Sequence, residues 1–335
     1  MRLLKRVVKM IIPPRMIPYV LYLRNGRRPR LAILDISAVC NAQCPFCPRV
    51  FMPEGRKKGF MTMELFEKCL TEIKGQGIRD VRLYATSEPT LHPDFEEIVR
   101  RLKAEGMSIC VSTNGAHLDN HRDSLMLVDT LQLSIDGWDE ASYEKLRYPL
   151  KFGLIQEQVR SFYAYANGHA IRPEISANLL LTRHADIEKY LDCWGGFVDK
   201  ISVGFLTGTT RYDGTRFVTE FPDDLKEDLY PIEIKDVKAC NYPFDTLTIS
   251  FDGKISLCCA DFSAELPLGN ILDGAEKVFH SPLLRKIRRE FMRGSPVLCA
   301  GCNMFHKPRP EDVAALRKTV DELSHPHKGK LVIRA

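Results

Sequence analysis

No stretch of this 335-residue sequence approaches the roughly eighteen uncharged apolar residues that a bilayer span requires, so no membrane-spanning helix is expected. No internal repeat is found, and no glycine-rich dinucleotide fingerprint follows the first β-like run. Hydrophobic residues at 44% and charged residues at 27% exclude wholesale disorder and a collagen-like chain. Acidic residues are missing from the first thirty positions, which hold nine basic ones: Arg2, Lys5, Arg6, Lys9, Arg15, Arg24, Arg27, Arg28 and Arg30. The net charge of +5 therefore splits into a basic arm and a remainder of 39 basic against 43 acidic residues, or −4. In the arm, Leu3, Leu4, Val7, Val8, Ile11 and Ile12 recur at helical spacing until Pro13 and Pro14. Lys5, Arg6 and Lys9 interrupt any secretory apolar segment, which points to a cytoplasmic chain. The arm is expected to be a short helix packed on the domain with a solvated basic face. Weak peripheral attachment to an anionic membrane surface is the alternative, ahead of nucleic acid.

Beyond the arm the pattern alternates. Short β-like runs at 31–37, 80–85, 108–113, 130–135, 174–181 and 200–205 are separated by helical patterns at 61–73, 93–104, 120–125, 140–147, 154–167 and 185–193. Six strands separated by helices imply parallel pairing with right-handed crossovers, either an open doubly wound sheet or a closed or partly closed barrel. In a barrel the chemistry sits at the C-terminal strand ends, and the first cysteines follow the first strand. Residues 207–231 are polar and read as a loop and a boundary. Beyond it, 245–251 and 254–257 form a hairpin pattern about Asp252-Gly253, followed by a basic helix at 282–292 and a tail helix at 310–323.

The cysteines number eleven, an odd count that argues against a disulfide framework. Cys40, Cys44 and Cys47 lie within eight residues, and three thiolates can wrap one small inorganic centre while leaving one iron of a cubane without a protein ligand. Structural zinc would want a fourth ligand, and no histidine lies in the loop. Cys240, Cys258, Cys299 and Cys302 make a complete four-thiolate set, for which zinc and an iron–sulfur cluster are both open readings. Cys69, Cys110 and Cys193 fall in expected helices or a strand and read as buried inert thiols. Cys259, beside a ligand, is either structural or a hydrogen-atom donor.

Cys40, Cys44 and Cys47, with Phe46 between the last two, resemble the signature of the radical S-adenosylmethionine (AdoMet) enzymes. Ala85-Thr86-Ser87-Glu88-Pro89 is similar to that family's Gly-Gly-Glu-Pro element, with both glycines replaced; Ser112-Thr113-Asn114-Gly115 and Ser134-Ile135-Asp136-Gly137 end the next two strands. The later cysteines, with Gly253 and Gly269-Asn270-Ile271, resemble a SPASM/twitch extension carrying one auxiliary cluster. The resemblance implies an α/β fold: a partial (β/α)6 TIM-like barrel with a small C-terminal SPASM/twitch cluster-binding domain. Its expected organisation is arm 1–30, barrel 31–225, auxiliary domain 226–305 and helical tail 306–335.

It further implies a [4Fe-4S] cluster on Cys40, Cys44 and Cys47 that binds AdoMet, and a second auxiliary [4Fe-4S] cluster on Cys240, Cys258, Cys299 and Cys302. Phe46 would lie by the adenine, and Thr86, Ser87 and Glu88 by the methionine amine. Asn114, Ser134 and Asp136 would contact ribose or carboxylate, with Arg147 on the AdoMet carboxylate. The implied activity is reductive cleavage of AdoMet to a 5′-deoxyadenosyl radical that takes hydrogen from a substrate carbon, with a flavodoxin or ferredoxin as electron donor. The expected outcome is oxidation or epimerisation of a sugar, alcohol or small metabolite, with Cys259 as the candidate hydrogen donor for epimerisation. A peptide maturase is the nearest rival, disfavoured because the thirty residues before Leu31 are too short for a leader-binding module. A metal-cluster sensor binding nucleic acid is the rival of another class, and the AdoMet-like strand ends argue against it.

Overall fold

The computed structural model describes residues 13–51, 58–233, 240–262, 264–302, 307–327 and 331–333. The helix expected over the first twelve residues lies outside them. Six parallel strands run in sequence order through the middle of one sheet: β1 (Leu31–Leu34), β2 (Asp80–Leu83), β3 (Ser108–Thr113), β4 (Thr130–Ser134), β5 (Glu174–Leu181) and β6 (Lys200–Phe205). Ala32, Ile33 and Leu34 are completely buried, as expected of a parallel strand covered on both faces.

The chain before β1 holds helix α1 (Ile17–Arg24). Between the strands lie α2 (Met63–Gly75), α3 (Phe95–Ala104), α4 (Arg122–Leu125), α5 (Glu140–Arg147), α6 (Phe152–Asn167) and α7 (Ile187–Trp194). Each of the longer ones carries an apolar stripe. In α2, Phe66, Cys69, Leu70 and Ile73 recur at helical spacing and are buried, and Thr62 caps the first turn by accepting from the Leu65 N–H at 3.2 Å. The result is a helix-covered, mostly parallel sheet, the partial TIM-barrel architecture that the family resemblance implies.

Three features differ from the reading of the sequence. Residues 207–231 are not all loop: β7 (Thr209–Tyr212) and β8 (Phe217–Glu220) pair as an antiparallel hairpin. The turn is held by the Asp213 carboxylate, which accepts from the Thr215 and Arg216 N–H groups at 2.8 Å each, while Phe217 is buried. The polar composition of these strands hid their β-branched and aromatic residues.

Next come β9 (Ile232–Glu233), helix α8 (Tyr242–Asp245), β10 (Thr246–Ile249) and β11 (Ile255–Ser256). β10 and β11 form the expected hairpin, with Gly253 at φ 81° in its turn, but β10 also pairs in parallel with β1. The sheet therefore continues across the boundary expected near residue 226.

Helices α9 (Ala275–Phe279) and α10 (Pro282–Arg293) follow; then β12 (Lys307–Pro308) pairs with β9, and α11 (Pro310–His327) leads to β13 (Leu331–Ile333). β13 adds in parallel to β6, so the tail contributes a ninth strand that its three-residue length concealed. Among the described residues, no helix is long and apolar enough to cross a membrane.

Candidate active site

A cavity of about 410 Å³ opens at the C-terminal ends of the strands, where parallel barrels place their chemistry. The loop after β1 brings Cys40, Phe46 and Cys47 to it together with the buried Cys44. Three ties hold this loop. Arg49 Nη1 donates to the carbonyls of Ala38 and Thr86, at 3.0 and 3.1 Å, binding the loop to the end of β2. Asn114 Nδ2 donates to Asn41 Oδ1 at 2.7 Å, binding it to the end of β3. The Thr209 hydroxyl on β7 donates to the Phe46 carbonyl. Arg49, Asn41 and Thr209 were not among the residues singled out from the sequence; Arg49, two residues past the last cysteine of the loop, carried no motif of its own.

The segment after β2 places Thr86, Ser87 and Glu88 on the cavity wall. Ser87 donates to the buried Asp35 carboxylate, and Thr86 Oγ1 is buried with no hydrogen-bond partner among the described residues. Glu88 is almost fully buried, and its carboxylate is a hub. It accepts from the Thr90 and Thr113 hydroxyls and the Asn114 N–H at 2.7 Å each, and from the Thr90 N–H at 3.2 Å. The carboxylate thus joins the ends of β2 and β3, which a resemblance to a ligand-binding element does not reveal. Ser134 also lines the cavity, with its hydroxyl 3.4 Å from that of Ser112.

Asp136 does not line this cavity; it stands behind Arg147, which does. Arg147 Nε donates to Asp136 Oδ2 at 2.7 Å, Nη2 donates to the same oxygen, and Asp136 Oδ1 accepts from the Leu180 N–H at 2.7 Å. The remaining arm, Nη1, lies 3.6 Å from the Cys44 sulfur, and the guanidinium carbon sits 5.2 Å from the centre of the Phe46 ring. The expected direct contact by Asp136 is therefore replaced by an indirect one: with no exposed side-chain surface, it aims Arg147.

All eleven cysteines are free thiols. Burial pushes Cys40 and Cys47 up to about 11, and Cys44 adds to the rise at both. In the second set, burial raises Cys240 to about 12, and raises Cys258 and Cys299 as well. Repulsion links these thiols: Cys240 and Cys302 act on both Cys258 and Cys299.

Two sulfur sets that resist ionisation until a cation arrives suit thiophilic centres, three-ligand in the loop and four-ligand in the second set. Among the described residues no three His, Cys, Asp or Glu groups already stand at metal-ligation geometry. The fit therefore rests on the donor chemistry and on the unpartnered Thr86 hydroxyl beside the loop. Cys69 is buried in α2, Cys193 accepts from Gln156 Nε2 at 3.5 Å, and Cys110 lies on β3.

Cys259 is different from its neighbour. It lines the cavity shared with Cys40, Cys44 and Cys47, whereas Cys258 does not. The Tyr242 hydroxyl donates to the Cys259 sulfur at 3.3 Å, and burial raises this thiol above its usual range.

Comparison with known proteins agrees with this arrangement. The model of the radical SAM superfamily matches residues 34–188, and that of an iron–sulfur cluster-binding domain, SPASM, matches residues 240–303. GTP 3′,8-cyclase of Chlorobaculum tepidum is 30% identical over 127 residues, or 37% of this chain, which spans only 38% of the cyclase. The tungsten-containing aldehyde ferredoxin oxidoreductase cofactor-modifying protein of Pyrococcus furiosus is 24% identical over 251 residues, covering 67% of this chain and 69% of that protein. Among solved structures, SuiB of Streptococcus suis bound to precursor peptide SuiA has a TM-score of 0.60 at 15% identity, covering 81% of this chain and 70% of SuiB. BtrN in complex with AdoMet and 2-DOIA has a TM-score of 0.51 at 15% identity, covering 82% of this chain and 93% of BtrN. The two structures share the fold.

Proposed function

Because the chain belongs to the radical SAM superfamily and carries a SPASM iron–sulfur cluster-binding domain, we propose that it epimerises a sugar, alcohol or other small polar metabolite, with Cys259 returning the hydrogen. The observation that carries this reading is that Cys259 shares one cavity with the three-cysteine loop. Cys40, Cys44 and Cys47 would hold the AdoMet-binding [4Fe-4S] cluster, and Cys240, Cys258, Cys299 and Cys302 the auxiliary one. With AdoMet bound and an electron supplied, the first centre provides the 5′-deoxyadenosyl radical that takes hydrogen from the substrate carbon.

The chain's own residues orient and shield. Thr86, Ser87 and Glu88 form the wall assigned to the methionine amine, and Arg147 Nη1 is the donor assigned to the carboxylate. Asn114 and Ser134 are assigned to the ribose, Phe46 to the adenine. Asp136 is a positioning residue for Arg147. Cys259 gives its S–H hydrogen atom to the substrate carbon from the face opposite abstraction, forming the new C–H bond. The sulfur then regains one electron, from a flavodoxin- or ferredoxin-class donor, and one proton, from solvent, while the Tyr242 hydroxyl stays hydrogen-bonded to it. If the substrate loses an electron instead of gaining hydrogen, the same site oxidises it.

The protein reconstituted anaerobically with iron and sulfide is expected to form 5′-deoxyadenosine from AdoMet and a strong reductant; no product with both clusters present refutes the enzyme reading. Cys44→Ala should abolish cleavage, while Cys302→Ala should leave some uncoupled cleavage. In deuterated solvent, product from a panel of sugars and alcohols should gain one deuterium at the reacting carbon. Cys259→Ala should lose that label, and a retained label rules out the thiol as donor.

A further inference from the structure

On the face where α1 meets α10 lies a second cavity of about 530 Å³ that shares no residue with the cysteine-lined one. Arg27, Arg285, Arg288 and Arg289 line it, together with the rings of Tyr19 and Tyr22. These arginines come from opposite ends of the sequence. Arg27 follows α1 in a left-handed turn at φ 62°, its N–H donating to the Tyr22 carbonyl at 2.9 Å, and the other three stand on α10, Arg285 one turn before the adjacent Arg288 and Arg289. Arg27, Arg285 and Arg289 are exposed; Arg288 is buried, with 3% of its surface exposed.

The Arg288 guanidinium is held without a counter-charge. Its carbon lies 4.7 Å from the Tyr22 ring centre and 4.3 Å from that of Phe279. Nε donates to the Pro243 carbonyl at 2.6 Å and Nη1 to the Tyr22 hydroxyl at 3.3 Å, while Nη2 has no partner among the described residues. Among those residues none of the four arginines has a carboxylate ion pair.

Burial pulls Arg288 down to about 10, and Arg285 adds to the effect. His280 is held below its usual range by burial first and then by Arg288, with Arg285 and Arg27 contributing against Glu276. Positive potential therefore converges on this cavity from two segments, and a buried cation without a counter-ion is costly unless an anion answers it.

We propose that this cavity binds a phosphate ester: the phosphate or diphosphate of a soluble metabolite, or the headgroup of an anionic phospholipid. Guanidinium forks match phosphate oxygens in pairs, and the half-buried Tyr19 ring stands beside them for the ester's organic part. The lipid source has an independent pointer in the sequence, since the twelve residues ahead of Pro13 alternate Lys and Arg with Leu, Val and Ile at helical spacing. The site stands whatever reaction the cysteine-lined cavity performs.

The test uses the reconstituted full-length protein and the variant Arg285→Gln/Arg289→Gln, whose positions are exposed, with circular dichroism and iron content as folding controls. Calorimetric titration with inorganic pyrophosphate reads the soluble source. Sedimentation with phosphatidylglycerol vesicles, against phosphatidylcholine vesicles, reads the lipid source.

Saturable pyrophosphate binding that the variant weakens about tenfold or more assigns the cavity to a soluble phosphate ester. Phosphatidylglycerol co-sedimentation of similar sensitivity, absent with phosphatidylcholine and weakened by salt, assigns it to lipid. Binding of neither probe, or binding unchanged in the variant, overturns the proposal. Retention of a DNA oligonucleotide with neither phosphate probe bound assigns the face to nucleic acid and overturns it too.

Discussion

Asp136→Asn isolates the part played by a buried charge that touches no ligand. In the native protein Asp136 has no exposed side-chain surface and its partner Arg147 retains 12%. One carboxylate oxygen takes two guanidinium donors and the other takes the Leu180 N–H at 2.7 Å. Burial works against the Arg147 charge, yet the attraction of Asp136, joined by Cys44 and Tyr143, outweighs it and holds Arg147 above its usual range.

Asparagine keeps an oxygen for Leu180 but turns an N–H₂ group toward the guanidinium, so attraction is replaced by a donor facing donors. Breaking a buried pair from one side costs about 3–5 kcal/mol, and the retained amide oxygen places this change at the lower end, about 3 kcal/mol. For a chain of this length the urea dependence is about 3 kcal/mol per molar or steeper, so the unfolding midpoint should fall by up to about 1 M. The variant should also bind AdoMet more weakly, because Nη1 is no longer held near Cys44.

Asp136→Leu combined with Arg147→Met should recover most of the lost stability, since neither charge is then stranded, while AdoMet binding stays impaired. An Asp136→Asn midpoint within about 1 kcal/mol of the native protein would refute the argument that this pair is electrostatically isolated from solvent.

His92 carries the pH prediction. Its Nε2 lies 2.8 Å from the Met61 carbonyl and Nδ1 accepts from the Asp94 N–H at 3.0 Å, so the neutral ring is fully matched, and burial lowers its pKa. The unfolded chain therefore binds the proton more readily: this contribution is present above about pH 6.5 and lost as pH falls through the folded value. Unfolding midpoints measured from pH 8 to 5 should decline less in His92→Gln than in the native protein; parallel curves contradict this. Gly137→Ala would put a methyl carbon 2.4 Å from the Tyr143 backbone nitrogen, a contact no side-chain motion relieves, and should cost about 2 kcal/mol or more. Gly153→Ala in α6, with open space around it, should be neutral or stabilising by up to about 1 kcal/mol in the same thermal melts. Glu88→Gln leaves one of the four donors around that carboxylate facing an amide N–H₂; about 2 kcal/mol of stability should be lost, and an unchanged melting temperature counts against the hub.

The sequence was most legible where one interaction dominates. Continuous apolar runs such as Leu31–Leu34 and the helical stripe of α2 depend on burial alone, and cysteine spacing needs only a count. It was least legible where a residue's role is set by a partner far along the chain. Asp136 looked like a ligand contact because it ends a strand; only the register of β4 against β5 and the return of α5 show that its partners are Leu180 and Arg147. Arg49 and Asn41 were silent because what they bind, the Thr86 carbonyl and the Asn114 side chain, is defined by a loop closing over two strand ends. β7 and β8 were missed although Asp213-Gly214 offers the same turn signal as Asp252-Gly253; threonines and an arginine made those strands look solvated.

One consequence of the fold binds these sites together. β10 pairs in parallel with β1, so the chain leaving β1 enters the loop of Cys40, Cys44 and Cys47, and the β10–β11 hairpin delivers Cys258 and Cys259 beside it. Adjacent residues then stand in two places, since Cys259 lines the cavity while Cys258, which does not, is acted on by Cys240 and Cys302. The spacing between the two sulfur sets is thus set by four strand-paired residues, Leu31 to Leu34 against Thr246 to Ile249, and not by a flexible linker. A change that slips this register by one residue would exchange which side chains of β10, buried on both faces, point to each side of the sheet, and would carry Cys259 away from the cavity.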